Sequence, residues 1–226
     1  MLDYLPGKDL MVLWKEKKVT DLTMILKLLG QVLQGVRDIH RAGVIHRDLK
    51  PQNIHINLKT FKPYIIDFGL SLCLDNTVTT KSFKRCGTMG YMAPEVIENA
   101  GEHKKPYGHK CDIFSLGIIC HMLLMGYNPL KGENYDETFL KNKTCEIELN
   151  KKILNMQNGE HCYMFMTKML AKYPQYRFDA EQALNSPFLT QKTEAKEPKD
   201  PKDKEESSST VEEKHKIHKQ IILPTE

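Results

Sequence analysis

Apolar residues recur at three- and four-residue steps across residues 22–39, and this spacing predicts one long helix with a single buried face. Thr20 and Asp21 stand just before it, where side-chain oxygens can accept hydrogen bonds from the first free N–H groups of a helix. Gly43 predicts the end of this helix, and residues 44–45 predict a short extended stretch that follows it.

Further along the chain, residues 54–56 and 64–66 predict two short strands joined by a polar turn. The pattern then becomes helical, and it predicts helices near residues 94–100, 111–125, 134–143, 160–171 and 179–185. The most apolar run, residues 113–125, is shorter than the roughly 20 residues that a bilayer requires. It therefore predicts a buried helix.

The composition changes abruptly after Thr190. Residues 191–213 are dominated by Lys, Glu, Asp, Pro and Ser, and Val211 is their only large aliphatic residue. Such a segment cannot bury enough apolar surface to offset the entropy lost on ordering, so a disordered charged tail is predicted over residues 191–226. The apolar group at residues 221–224 is either a loose end or a docking segment, and both interpretations stay open.

Composition limits the kind of protein. The 226 residues suit one domain and a tail, and a net charge of +4 is too small to indicate binding to nucleic acid or to a membrane. The six cysteines lack the spacing of a metal site, and the amino terminus lacks a signal peptide pattern. Reduced thiols in the cytoplasm or nucleus are predicted.

Three short motifs carry the chemistry of the chain, and a fourth supports them. Together, at these separations, they resemble the catalytic domain of the eukaryotic-type serine/threonine protein kinases. They are His46-Arg47-Asp48-Leu49-Lys50-Pro51-Gln52-Asn53, Asp67-Phe68-Gly69 and Ala93-Pro94-Glu95, with Gly87-Thr88-x-x-Tyr91 ahead of the last.

The resemblance implies an α+β, protein-kinase-like fold: a mainly helical large lobe with short β-hairpins around the catalytic loop. Residues 1–10 would form the hinge between the lobes, and residues 11–190 the large lobe. The sequence contains no Gly-x-Gly-x-x-Gly loop. The small-lobe sheet is therefore expected to be missing from this chain.

The resemblance also assigns catalytic roles. Asp48 would act as the base that accepts the proton of the substrate hydroxyl, and Lys50 would contact the transferred phosphate of ATP. Asn53 and Asp67 would hold magnesium, a cation that prefers oxygen ligands. Lys50, at the second position after Asp48, is similar to serine/threonine kinases and unlike tyrosine kinases.

Nucleotide binding is expected at the hinge. The resemblance implies that the backbones of Asp3 and Leu5 bond to adenine and that Asp9 meets the ribose hydroxyls; the alternative is a surface turn made by Pro6-Gly7. His55 stands where the family usually has the apolar floor under adenine, and it is expected to weaken nucleotide affinity.

Other positions have expected structural roles in the family. Glu95 would pair with Arg177, and Asp112 would brace the catalytic loop from the start of the central buried helix. His46 and Phe68 would stack on each other, which makes His46 a packed histidine rather than a base.

The resemblance therefore implies a protein serine/threonine kinase that uses ATP and Mg²⁺. Its motif sequences are most similar to those of the calcium/calmodulin-dependent group. Two alternatives stay open, a non-catalytic kinase-like binding module or scaffold and a small-molecule phosphotransferase of related fold. Alone, the 226 residues are expected to show negligible transfer, since half of the charge around the phosphate is missing. A partner is expected to cover the open face of the lobe.

Overall fold

The computed structural model describes residues 5–74, 84–99 and 106–190 of the chain. The predictions for Asp3 and for the tail over residues 191–226 lie outside these ranges. All six cysteines are free thiols. Within the described ranges, no helix combines the length and the apolar character that crossing a membrane requires.

Helix α2 spans Leu22–Arg41 and confirms the long helix predicted from the apolar spacing. Asp21 caps it, because its carboxylate Oδ2 accepts a hydrogen bond from Met24 N at 3.0 Å. The chain leaves this helix through Gly43, whose φ of +74° is a left-handed conformation that glycine adopts without steric cost. The buried stripe consists of Ile25, Leu28, Leu29, Val32, Leu33 and Val36.

Helix α4, Lys110–Met125, lies at the centre of the fold, and its residues 111–123 are buried on every side. The predicted buried helix is therefore confirmed. It packs against α2 and against helix α6, Gly159–Met169. Gly117 permits the close approach to α6, since a Cβ at this position would lie 2.8 Å from Leu170 Cδ2.

Among the described residues, two small antiparallel sheets flank the helices. Strands β1 (Lys8–Asp9), β3 (Ile54–Ile56) and β4 (Pro63–Ile65) form one sheet, with β3 in the middle. Strands β2 (Val44–Ile45) and β5 (Leu72–Cys73) form the other. The second predicted strand is displaced by one residue, because Ile66 N bonds at 2.9 Å to the carbonyl of Asn53, which belongs to a turn rather than to β3.

The helix predicted over residues 94–100 is wrong in length, because α3 spans only Pro94–Ile97. Asn99 N bonds to the carbonyl of Val96, three residues back, so the α-helical hydrogen bonding ends after one turn. The helices predicted after α4 are found within two residues of their expected ends, as α5 (Tyr135–Thr144), α6 and α7 (Ala180–Leu184).

Several elements were not predicted, because each is too short to show a period in the sequence. They are α1 (Leu10–Lys15), α8 (Pro187–Thr190), strands β1 and β5, and three 3₁₀ turns at Pro51–Asn53, Lys151–Asn155 and Pro174–Tyr176. The resulting fold is mainly helical with small sheets, as the α+β class requires, and it places residues 46–53 in the connection between β2 and β3.

Candidate active site

The backbone of residues 46–53, the predicted catalytic loop, is held by a buried carboxylate on α4. Asp112 is 1% exposed, and its two oxygens accept hydrogen bonds from His46 N at 2.9 Å and Arg47 N at 2.8 Å. His40 Nε2, on α2, lies 2.8 Å from the same carboxylate. Arg47 adopts a left-handed φ of +68°, which costs energy for a residue with a side chain. The contact expected of Asp112 is present, and it fixes the start of this loop.

His46 is a packed histidine in this site. Its Nε2 lies 3.1 Å from the carbonyl of Ile66, and its Nδ1 lies 3.3 Å from Asp48 N, which donates to it. Because Nδ1 accepts this bond, Nε2 is the ring nitrogen available to donate to the carbonyl of Ile66. The ring is fully buried and its centroid is 4.9 Å from that of Phe68, the expected stacking partner. Both ring nitrogens are engaged in structural contacts, so the geometry provides no general base here.

Asp48 lies at the centre of a hydrogen-bond network and is 8% exposed. One carboxylate oxygen accepts from Thr88 Oγ1 at 2.6 Å, and the other accepts from Lys50 Nζ at 2.8 Å and Asn53 Nδ2 at 3.3 Å. Lys50 Nζ also donates to Thr88 Oγ1 at 2.9 Å. Because every partner donates to the carboxylate, its position is set before any substrate arrives.

Thr88 belongs to the Asp48 network, and sequence reasoning missed it. The Gly87-Thr88-x-x-Tyr91 motif supports the resemblance, but it predicts no contact between the Thr88 hydroxyl and Asp48. The segment approaches the loop closely because Gly87 has no side chain: a Cβ there would lie 2.7 Å from the carbonyl oxygen of Arg47. Gly87 also has a φ of +117°, a conformation that other residues rarely adopt. A hydroxyl directly after such a glycine was the signal available in the sequence.

Asn53 and Asp67 lie at the same end of the β3–β4 hairpin. The last ladder pair joins Ile54 to Ile65, so Asn53 precedes the hairpin and Asp67 follows it by one further residue. Asn53 is 4% exposed, and its Nδ2 donates to the carbonyl of Asp48 at 2.9 Å, which turns the amide oxygen away from Asp48. Asp67 is exposed, has a φ of +64°, and accepts one bond from Gly69 N at 3.2 Å.

The donor set at this end of the hairpin fits magnesium. It consists of one exposed carboxylate and one oriented amide oxygen, which are hard oxygen ligands. Magnesium is commonly bound by one or two carboxylates together with substrate phosphates and water, rather than by a closed protein cage. In the described part of the chain, no cluster of three or more His, Cys, Asp or Glu side chains could form such a cage. Asn53 and Asp67 therefore suit a metal that arrives with a nucleotide.

Two residues expected to contact the nucleotide, Asp9 and His55, pair with each other across strands β1 and β3. Asp9 caps α1, since its Oδ1 accepts from Val12 N at 2.9 Å, and its backbone pairs with His55 in the sheet. His55 Nε2 is buried without a hydrogen-bond partner among the described residues, and a Cβ on Gly7 would lie 2.9 Å from it. Leu5 is half-buried.

Glu95 and Arg177 form the expected ion pair. The guanidinium donates in bidentate geometry, with Nη1 at 2.6 Å and Nη2 at 3.0 Å from the carboxylate oxygens. Arg177 is 1% exposed and also donates to the carbonyls of Lys110 and Ala171. Its guanidinium lies 5.0 Å from the ring centroid of Phe114. The ion pair links α3, which carries Glu95, to the segment just before α7, which carries Arg177.

A groove of about 1020 Å³ opens beside the Asp48 network. Gln52 of the catalytic loop and Met89, which follows Thr88, both line it. Its other walls come from α1, from the end of α4 and from α5. Tyr91 also lines it, and burial raises the pKa of this phenol, an effect that a hydrogen bond with Asn128 opposes. Through Gln52 and Met89, the groove adjoins the two segments that carry the Asp48 network.

Comparison with known proteins identifies the family. The protein kinase domain family matches residues 1–189. Calcium/calmodulin-dependent protein kinase type 1 of Caenorhabditis elegans is 36% identical over 168 residues, which cover 74% of this chain and 46% of that protein. The human calcium/calmodulin-dependent protein kinase type 1B is also 36% identical, over 169 residues, with the same coverage of 74% and 46%.

A third relative is the probable serine/threonine-protein kinase 2 of Plasmodium falciparum, 35% identical over 196 residues that cover 85% of this chain and 36% of that protein. The chain thus spans less than half the length of these three relatives. The match of residues 1–189, at these levels of identity, shows that the chain belongs to the protein kinase domain family and is homologous to serine/threonine kinases.

Proposed function

We propose that this chain provides the catalytic loop and the metal-binding residues of a protein serine/threonine kinase that uses ATP and Mg²⁺. The observation that carries the proposal is the network in which Thr88, Lys50 and Asn53 all donate to the carboxylate of Asp48. A buried carboxylate fixed by donors from two segments is a positioned proton acceptor. The resemblance to the calcium/calmodulin-dependent group extends the proposal to that group, in the cytoplasm or nucleus.

The chemistry follows from the positions of these groups. The oxygen of a serine or threonine hydroxyl forms a bond to the γ-phosphorus of ATP, the bond from that phosphorus to the bridging oxygen breaks, and ADP leaves. Asp48 accepts the hydroxyl proton, and Lys50 supplies positive charge beside the transferred group. Asn53 and Asp67 would hold magnesium, which when bound neutralises charge on the phosphate oxygens.

The nucleotide would approach from the hinge side of the same site. We propose that the backbone of Leu5 and of Asp3 bonds to adenine, with His55 beneath the base. Since Asp9 uses one oxygen to cap α1, its other oxygen is the one assigned to the ribose hydroxyls. An imidazole at this position replaces the apolar floor that the family usually places under adenine, so the expectation of weak nucleotide affinity stands as part of this proposal.

A chimera tests the catalytic proposal. Because the 226 residues contain no glycine-rich loop, the small lobe of the C. elegans calcium/calmodulin-dependent protein kinase type 1 is joined ahead of Met1. The purified chimera is incubated with γ-labelled ATP, Mg²⁺ and a protein carrying serine and threonine. We expect label on serine or threonine that disappears when Mg²⁺ is removed. A folded chimera that transfers no phosphate would support the binding-module alternative instead.

A second measurement uses the 226-residue chain directly. Mn²⁺–ATP is titrated into the chain, and the broadening of backbone NMR signals near Asn53 and Asp67 is followed. We expect weak saturable binding, no tighter than about millimolar, because the sequence contains no glycine-rich loop to cover the phosphates. Asp67→Ala should abolish the local broadening, whereas Asp38→Asn, an exposed acid on α2, should leave it unchanged. Broadening that persists in Asp67→Ala would overturn the metal assignment.

A further inference from the structure

The groove beside Asp48 has a position that makes it suitable for the chain that carries the acceptor hydroxyl. Gln52 stands in the catalytic loop one residue before Asn53, and Met89 follows Thr88, which donates to Asp48 at 2.6 Å. A peptide whose hydroxyl reaches Asp48 can therefore place neighbouring residues along these walls. The side chains of the walls then determine which flanking residues of the peptide bind favourably.

The charged groups of the groove do not favour a basic ligand. Glu137 is already engaged, since its carboxylate lies 2.8 Å from Lys141 Nζ and accepts from the backbone of Glu133 at 2.7 Å. The hydrogen bond with Lys141 lowers the pKa of Glu137, and the bond from the backbone of Glu133 lowers it further. Two lysines, Lys15 and Lys131, and one carboxylate, Glu133, have no ion-pair partner among the described residues. The available lysines thus outnumber the available carboxylates.

The uncharged walls supply apolar and polarisable surface. Methionine and aromatic side chains of this kind adapt to ligands of different shape, and they favour bulky apolar groups over small polar ones. Trp14 is half-buried against the core, so its ring is a fixed surface rather than a mobile one. These side chains are Met11, Trp14, Met89, Met122, Tyr127 and Tyr135.

We propose that this groove selects acceptor peptides in which the serine or threonine is flanked by bulky apolar and acidic side chains, and that Lys15 and Lys131 read the acidic ones. The proposal rests on the proposed function, because it assigns the groove to the kinase substrate. It names Lys15 and Lys131 as specificity-determining residues. Both are exposed, which keeps their ammonium groups accessible to a ligand.

The test measures binding without phosphate transfer. Two fluorescent peptides share a central serine with leucine and phenylalanine neighbours; one carries three glutamates and the other three lysines at the same positions. Each is titrated with the 226-residue chain at low salt, and anisotropy is recorded. We expect the acidic peptide to bind about fivefold more tightly, the size expected for two exposed ion pairs, and the ratio to shrink at high salt.

Charge reversal supplies the decisive comparison. Lys15→Glu combined with Lys131→Glu should reverse the preference, while Lys168→Glu, an exposed lysine on α6 that does not line the groove, should leave it unchanged. Both groove lysines are exposed, so the fold should tolerate the changes, and circular dichroism verifies this. Tighter binding of the basic peptide, a ratio insensitive to the double variant, or no binding of either peptide up to millimolar concentration would each overturn the inference.

The same two peptides, offered to the chimera as substrates, separate this inference from the proposed function. Phosphate transfer that prefers the acidic peptide in kcat/KM supports both. Transfer without that preference overturns the inference and leaves the catalytic assignment standing. Selective binding without any transfer overturns the catalytic assignment and leaves the groove chemistry standing.

Discussion

The hydroxyl of Thr88 and the carboxylate of Asp48 are 40 positions apart in the chain, yet their oxygens lie 2.6 Å apart. Hydrogen bonds to an ionised group are roughly twice as strong as neutral ones, so this contact orients the carboxylate. The hypothesis that Asp48, Asn53 and Asp67 form the site could be drawn from sequence because their motifs are local. The partnership with Thr88 could not, because it depends on how a later segment returns to the catalytic loop.

Substitution of Thr88 tests this partnership. Thr88→Val keeps the shape of the side chain and removes the donor to Asp48, so phosphate transfer by the chimera should fall by about tenfold or more, as expected for losing 1.5–3 kcal/mol of charged hydrogen bonding. Thr88→Ser keeps the hydroxyl and should restore most of the rate. Equal rates in the valine and serine variants would show that the hydroxyl has no role in positioning Asp48.

At the scale of elements, helix period and chain breaks were enough to place α2 and α4, since both depend on local spacing of apolar residues. Short elements such as α1 and β5 escaped prediction, because tertiary contacts rather than local pattern maintain them. The contact between α4 and α6 could not be predicted from the sequence. Glycine at position 117 is unfavourable for an isolated helix, and the structure explains it because a larger residue would collide with Leu170.

A matched pair of glycines tests that packing. Gly30 lies within α2 with no atom within 4 Å of a Cβ position, so Gly30→Ala should stabilise the fold by about 0.5–1 kcal/mol through helix propensity. Gly117→Ala gains the same propensity but places its Cβ 2.8 Å from Leu170 Cδ2 and 3.0 Å from Met169 Cβ. Overpacking of this kind costs about 1–3 kcal/mol, so a net loss is expected.

Urea unfolding of the two alanine variants gives the measurement. The midpoint should rise for Gly30→Ala and fall for Gly117→Ala relative to the wild-type chain. Shifts in the same direction for both variants would mean that α4 and α6 are not packed as closely as the structure shows.

For the whole molecule, the half-buried thiol of Cys145 is expected to make the stability depend on alkaline pH. Burial raises the pKa of the Cys145 thiol to about 11, although Arg177 and Lys172 act in the opposite direction. The unfolded thiol keeps its ordinary value of 9.0, so the folded state holds the proton more tightly. The stabilising contribution is therefore complete below the unfolded pKa and is lost as the pH rises through the folded one.

The unfolding free energy of the wild-type chain should thus decrease between the ordinary thiol pKa of 9.0 and the raised pKa of about 11 more steeply than that of Cys145→Ala. Urea titrations across this range provide the comparison, and other ionising groups cancel in the difference. Cys73→Ala, which removes an exposed thiol, serves as the control and should follow the wild type. Identical slopes for Cys145→Ala and the wild type would contradict the raised pKa of this thiol.

The most direct test of the whole account is the rate of phosphate transfer after Asp48→Asn in the chimera. The substitution keeps the size of the side chain but removes the proton acceptor, so the rate should fall by at least about 100-fold. Asp38→Asn, at an exposed acid on α2, should keep the rate within about twofold of the parent. Near-parental transfer by a folded Asp48→Asn chimera would contradict the central claim that this carboxylate performs the proton transfer.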